Sequence, residues 1–234
     1  MGIVVPNFAS STEDRASGAQ VINGSLEFNA TSKTYLERTP SSGGNRKTFT
    51  ISCWFKKTMA DSTASRVIMF AGPNGDDTYP LYFDDSQRLA NAHYQGGYTY
   101  QVSTNARLED FSGWYHLVSI TDTAAASSSD RIKVYINGEL QTSLATASYP
   151  SLNYDTSINE SGQVQCIGFQ HTANSFELDG YLSQFYFIDG QALDASYFGY
   201  TDGLTGTWRP KKFNITDAPT ADWGTNGFYL PFDG

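Results

Sequence analysis

Cysteine, histidine and positive charge are scarce in this chain. Of 234 residues, two are Cys, three are His and 17% are charged. Two cysteines do not make a disulfide framework, and a chain of this length buries enough surface to need none. Cys53 and Cys166 therefore read as buried free thiols. Three scattered histidines, at 93, 116 and 171, with no His-Glu-x-x-His run, give no reason to expect zinc. There is no Gly-x-Ser-x-Gly elbow and no phosphate loop. Basic residues number 15 against 24 acidic ones, a net charge of −9, so phosphate backbones are repelled and nucleic acid is not a partner. Arg46-Lys47, Lys56-Lys57 and Lys211-Lys212 are too short to reverse that. No apolar run is long enough for a membrane span. No start segment joins a charged n-region to an apolar core, so no secretory signal is expected, and the four Asn-x-Ser/Thr sequons, at Asn23, Asn29, Asn159 and Asn214, read as chance.

What is abundant is aromatic and turn-forming. Aromatics make up 15% of the chain and Gly numbers 21, the profile of short strands and tight turns. Strand patterns fall at 21–28, 34–39, 48–56, 66–71, 79–84, 88–95, 98–103, 114–122, 131–137, 163–169, 181–188 and 227–232. Ile132, Val134 and Ile136 alternate with Arg131, Lys133 and Tyr135, which gives one buried and one wet face. The reading is all-β: a two-sheet antiparallel jelly-roll sandwich with Phe49, Ile51, Cys53, Phe55, Val118, Ile120, Ile132, Val134 and Ile136 in its core. Gly96-Gly97 fits a two-residue primed turn that sets His93 opposite Tyr100. Asp194 reads as the N-cap of one helical turn that stops at Gly199. Residues 141–162 and 199–226 read as loops. Residues 1–19 form an arm with an apolar tip, Ile3, Val4, Val5 and Phe8, suited to docking on a partner, and 20–234 form one domain.

Four constellations carry candidate chemistry. Glu177-Leu178-Asp179 has the i, i+2 carboxylate spacing that a retaining glycosidase needs on a strand. The second Glu of the glycanase motif is missing, with Tyr181 and Leu182 in its place, so no catalytic residue is assigned. His116 shares a face with Trp114, Val118 and Ile120 and reads as a hydrogen-bonded core histidine. Asn74, Asp76 and Asp77 offer oxygens to calcium, against the plainer reading of a solvated acidic turn, and no cofactor is otherwise expected. His93, Tyr94, Tyr98 and Tyr100 offer a platform to a sugar ring, against the plainer reading of a cross-strand aromatic pair.

Trp114 to Asp122 followed by Arg131 to Gly138 resembles the central hairpin of concanavalin A-like jelly rolls of the laminin-G or pentraxin type. Further segments are similar to virion proteins of tailed phages, especially aquatic ones. They are Tyr35 to Pro40 with Gly44 to Lys57, Tyr181-Leu182 with Phe187 to Asp194, Thr205 to Phe213, and Gly224 to Gly234. This resemblance implies a non-enzymatic structural module displayed on the virion as capsid decoration, fibre or tail appendage. It implies synthesis in the host cytoplasm, other virion proteins as partners, and self-association or symmetric docking. It also implies further chain beyond Gly234. The alternative is an adhesin that recognises host surface glycans.

Overall fold

The computed structural model describes residues 19–58, 64–74 and 76–233. The docking residues Ile3, Val4, Val5 and Phe8 lie outside them. Sixteen strands run in chain order: β1 (Leu26–Phe28), β2 (Leu36–Arg38), β3 (Thr48–Lys57), β4 (Arg66–Asn74), β5 (Asp77–Phe83), β6 (Arg88–Tyr94), β7 (Tyr98–Arg107), β8 (Tyr115–Asp122), β9 (Ile132–Ile136), β10 (Glu139–Leu140), β11 (Leu144–Ser148), β12 (Gln165–Ile167), β13 (Gly180–Asp189), β14 (Gly199–Thr201), β15 (Trp208–Pro210) and β16 (Phe228–Leu230). Each of the twelve strands read from the sequence has a counterpart. β11, β14 and β15 fall where loops were expected, and β10 lies between the strand read at 131–137 and the loop read at 141–162. They are short, and their side chains carry little period-2 contrast.

The first sheet runs β1-β13-β3-β8-β9-β10, with β16 also on β13; the second runs β11-β7-β6-β5-β4-β12-β2. Every pairing is antiparallel. The sheets close face to face over one apolar layer. Phe49, Ile51, Cys53, Phe55, Leu117, Val134, Ile136, Phe185 and Phe187 come from the first sheet, and Ile68, Tyr79, Leu81, Phe83 and Leu89 from the second. β13 bends at Gln184 (φ +49°), where the register with β3 shifts between Ser183 and Tyr186. β1 and β16 share its free edge on either side of that bulge.

Val118 and Ile120 are buried, but not in this layer. They lie on the other side of the first sheet, beneath a strap of residues 190–223, with Tyr186, Ile188, Leu193, Ala195, Phe198 and Ala218. The inward positions of β8 are Leu117, Ser119 and Thr121, and the two hydroxyls lie 3.0 and 3.2 Å from the Asn91 side-chain amide of the second sheet. The apolar face of β8 thus points outward because a second hydrophobic layer waits there.

Asp194 caps its turn as expected, accepting the Ser196 N–H at 2.8 Å, and the turn spans Ala195–Tyr197. Gly199 does not stop it through a left-handed backbone. It opens β14 and lies flat against the Trp208 indole, where any Cβ would collide. Gly138 of the Asn137-Gly138 turn, with φ of +49° and +82°, meets the same indole from another side. No helix among the described residues is long and apolar enough to cross a membrane.

Candidate functional site

Among the described residues, no strap of that length covers the outer face of the second sheet. Its strands present Val67 and Phe70 (β4), Tyr82 (β5), Ala90 and Ala92 (β6) and Cys166 (β12), a hydrophobic patch with Phe169 and Phe176 packed on it. Beside it β6 and β7 meet at a three-residue loop. Tyr94 pairs with Tyr98, and Gln95 donates its N–H to the Gly97 carbonyl at 2.7 Å. This replaces the two-residue turn read from the sequence, and Gly96 alone of the two glycines has positive φ, +64°. The extra residue is absorbed by a register shift between His93 and Tyr94.

That shift separates the four residues proposed as a platform. Tyr98 is 55% exposed, and Tyr94 packs edge-on against it with ring centroids 5.6 Å apart. The Tyr98 hydroxyl lies 3.0 Å from that of Tyr82, which also accepts from Gln101 Nε2 at 2.8 Å. Ser65, Pro80, Gln170 and Phe176 complete a shallow groove with Tyr82 and Tyr98. Burial pushes the Tyr82 phenol well above its ordinary pKa, so it stays a neutral hydrogen-bonding group. An exposed ring edged by phenols and amides can stack on an apolar sugar face and bind its hydroxyls.

His93 and Tyr100 are not part of that surface. They are 2% and 0% exposed, on the inner side of the sheet. His93 Nε2 lies 2.7 Å from Ser157 Oγ and 3.2 Å from Asp77 Oδ1, and Ser157 donates to the same Asp77 oxygen. Ser, His and Asp meet here without forming a nucleophilic triad. In a triad the carboxylate and the hydroxyl hold opposite ring nitrogens, whereas here both face Nε2. Ser157 is fully buried. Burial lowers His93 to about 4; the nearby Asp77 opposes that shift and Arg46 adds to it. The cluster latches the 150–160 loop to the β6–β7 hairpin through Tyr154, whose hydroxyl is 3.0 Å from His93 Nδ1.

The same contacts bear on the calcium reading. An Asp77 oxygen is engaged by Ser157 and His93, and Asp76 is exposed and holds Gly96 through its backbone carbonyl. The Asn74 side chain lies outside the described structure. Glu177 and Asp179 precede β13 rather than sit on it. Glu177 pairs with Lys33 at 3.0 Å and Asp179 accepts from Thr58 at 2.8 Å. Each carboxylate has its own structural partner.

Two features escaped sequence reasoning. Asp189, which lies inside the Phe187 to Asp194 segment, is a buried hub. Its carboxylate accepts the backbone N–H groups of Asn45 (2.7 Å) and Asn226 (2.9 Å) and the Asn159 amide (2.9 Å). Burial nonetheless raises its pKa. Asn159, nominally a glycosylation sequon, is thereby interior. On the opposite sheet, Trp54 and the 40%-exposed Trp114 line a notch of about 380 Å³ with Asn23 and Ser25. The Gly44-Asn45-Arg46 and Gly224-x-Asn226 strings were visible as segments, but nothing in their spacing announces a shared carboxylate.

Known proteins place this geometry in context. The chain superposes on the native heptameric SAP-like pentraxin of Limulus polyphemus with a TM-score of 0.55 at 17% identity, covering 92% of this chain and 95% of that one. Domain 4 of an extracellular arabinanase from Geobacillus stearothermophilus, solved with arabinotriose, gives 0.53 at 15% identity over 74% and 73%. Domains LG4-5 of the mouse laminin alpha1 chain give 0.50 at 15% identity over 81% and 48%. These likenesses are of fold. No curated protein sequence matches the chain. A family model does match, over residues 29–196. That span runs from β2 through β13 and reaches the Asp194-capped turn, and the chain belongs to the Concanavalin A-like lectin/glucanases superfamily.

Proposed function

We propose that this chain is a non-catalytic carbohydrate-binding module, with its ligand seated on the outer face of the second sheet at Tyr94, Tyr98, Tyr82 and Gln101. The carrying observation is the 55%-exposed Tyr98 ring, edged by Tyr94 and tied to the Tyr82–Gln101 hydrogen bonds. Such a surface holds a sugar by stacking and a few oriented polar groups. The arabinanase domain that shares the fold was solved holding arabinotriose, which supports the class of ligand. A glycan array probed with the purified chain tests the reading. Binding should be present, fall at least about tenfold in Tyr98→Ala, a loss of about 1.4 kcal/mol, and persist in Trp114→Ala. A dark array would leave a passive surface module.

The setting we propose is the surface of a tailed-phage particle, where glycan binding would serve attachment to a host. Support for it comes from the sequence segments quoted above, of which Asn45, Asp189 and Asn226 turn out to share one hydrogen-bonded hub. Symmetric docking through Ile3, Val4, Val5 and Phe8 belongs to this reading. Imaging intact particles tests it: density for the chain on a capsid lattice or tail upholds the setting, and absence from purified particles removes it.

A further inference from the structure

Cys166, Glu37 and His171 converge on the outer face of the second sheet. Cys166 on β12 stands directly opposite Glu37 on β2 in the antiparallel register. Past β12 the chain folds back on itself through a bridge between Gln170 and Ser175, and a 3-10 turn at His171–Ala173 brings the imidazole to the pair. His171 Nδ1 lies 3.3 Å from Glu37 Oε2. The thiol sulphur, imidazole nitrogen and carboxylate oxygen all lie within 4.8 Å of one another, the one such group of potential metal ligands among the described residues.

An ordinary ion pair accounts for the His171–Glu37 distance but not for the sulphur. A half-exposed pair of this kind contributes little by itself. The thiol is buried, beside a carboxylate, and receives the backbone N–H of His171. That hydrogen bond favours a thiolate, while burial and the Glu37 charge hold the free thiol up at about 12. A cation among the three groups would reverse the carboxylate's effect, and the N–H is already aimed at the sulphur it would leave charged.

The donor set selects the cation. Thiolate and imidazole are poor ligands for calcium and magnesium and good ones for zinc. Zinc–nitrogen and zinc–oxygen bonds of about 2.0–2.2 Å give a tetrahedral edge of about 3.3–3.5 Å, which the His171–Glu37 separation of 3.3 Å already meets. The sulphur must close in, and the Glu37 and His171 side chains, 48% and 46% exposed, have the freedom to do it.

We propose that Glu37, Cys166 and His171 form a site for a single zinc ion, with the fourth position open to water. Binding exchanges the thiol proton for a zinc–sulphur bond and releases that proton to solvent, so affinity rises with pH. The ion would pin the turn that carries Gln170 and Phe176, two walls of the groove beside Tyr98. The site stands or falls independently of what that groove binds.

The test uses the untagged full chain, reduced and stripped with a chelator. Calorimetric titration with zinc should give one equivalent, and cobalt should give a sulphur-to-metal charge-transfer band. Losing even an outer-sphere partner of a metal typically costs about 10–100-fold in affinity, so His171→Gln and Glu37→Ala should each lose at least that. Cys166→Ala should abolish the cobalt band. Both His171 and Glu37 are exposed, so their variants should fold, and zinc should raise the melting temperature of the wild type but not of His171→Gln. No zinc binding by the wild type would overturn the proposal. So would equal binding by His171→Gln and Cys166→Ala, or bound cobalt without the sulphur band.

Discussion

The Trp208 indole N–H donates to His116 Nδ1 across 3.0 Å and so fixes the tautomer of a buried imidazole. The ring proton is left on Nε2, which faces Ser52 Oγ at 2.9 Å. Trp208 therefore bonds the strap to the first sheet as well as packing on it, with Gly138 and Gly199 clearing the space its ring occupies. Trp208→Phe keeps an aromatic ring and deletes the donor. We expect it to cost about 1–3 kcal/mol, the penalty of one buried unpaired acceptor. Trp208→Ala should cost about 3–5 kcal/mol. Urea unfolding checks both, and a Trp208→Phe variant as stable as the wild type would mean the hydrogen bond contributes nothing.

Protonation should unfold this protein in a defined window. Burial lowers His116 from the model-peptide value of 6.5 to about 3 and His93 to about 4. The unfolded chain binds these protons below about pH 6.5 while the folded chain does not, so stability rises with pH between those limits and flattens above them. Each histidine contributes on the order of a few kcal/mol. Asp189, with its raised pKa, acts with the opposite sign: it favours folding at low pH and loses that contribution as pH rises through its folded pKa. Chemical denaturation from pH 4 to 7 should show a shallower slope in His116→Gln than in the wild type. An unchanged slope would assign the acid sensitivity elsewhere.

Val134, 2% exposed at the middle of β9, faces the layer between the sheets. Val134→Asp places a carboxylate where no cation waits and should cost several kcal/mol, enough to abolish soluble expression. Recovery of a normally melting variant would show that this face is misassigned.

Hydrolysis of glycans should be absent. Glu177 and Asp179 are each held by a separate partner, Lys33 and Thr58. Purified protein incubated with β-glucans, agar and alginate should release no reducing ends. An activity that vanished in Glu177→Gln would make this chain an enzyme.

The sandwich was legible because its strands are long and patterned. β9 alternates cleanly, and β3 buries Phe49, Ile51, Cys53 and Phe55 on one side as read. The sequence could not reveal which side of β8 faces in, since Val118 and Ile120 look like core residues and are, under the strap rather than between the sheets. The platform was half legible. Alternation from a two-residue turn joins His93 to Tyr100, but one extra loop residue turned Tyr94 and Tyr98 outward and left the other pair inside. The convergence of Glu37, Cys166 and His171 was invisible because Glu37 and Cys166 come from distant strands that pair only in the second sheet.

The strap over the first sheet gives the molecule a back and a front. Residues 190–223 close one outer face with Phe198, Trp208, Phe213 and Trp223, while the tyrosine patch looks out from the other. An assembly gripping copies by their backs would aim every patch the same way. If the proposed glycan binding holds, individually feeble contacts with a repetitive coat would then add up, since tethered sites gain about 10²–10⁴ in avidity without any new contact. A module built this way needs numbers and a common orientation more than a deep pocket.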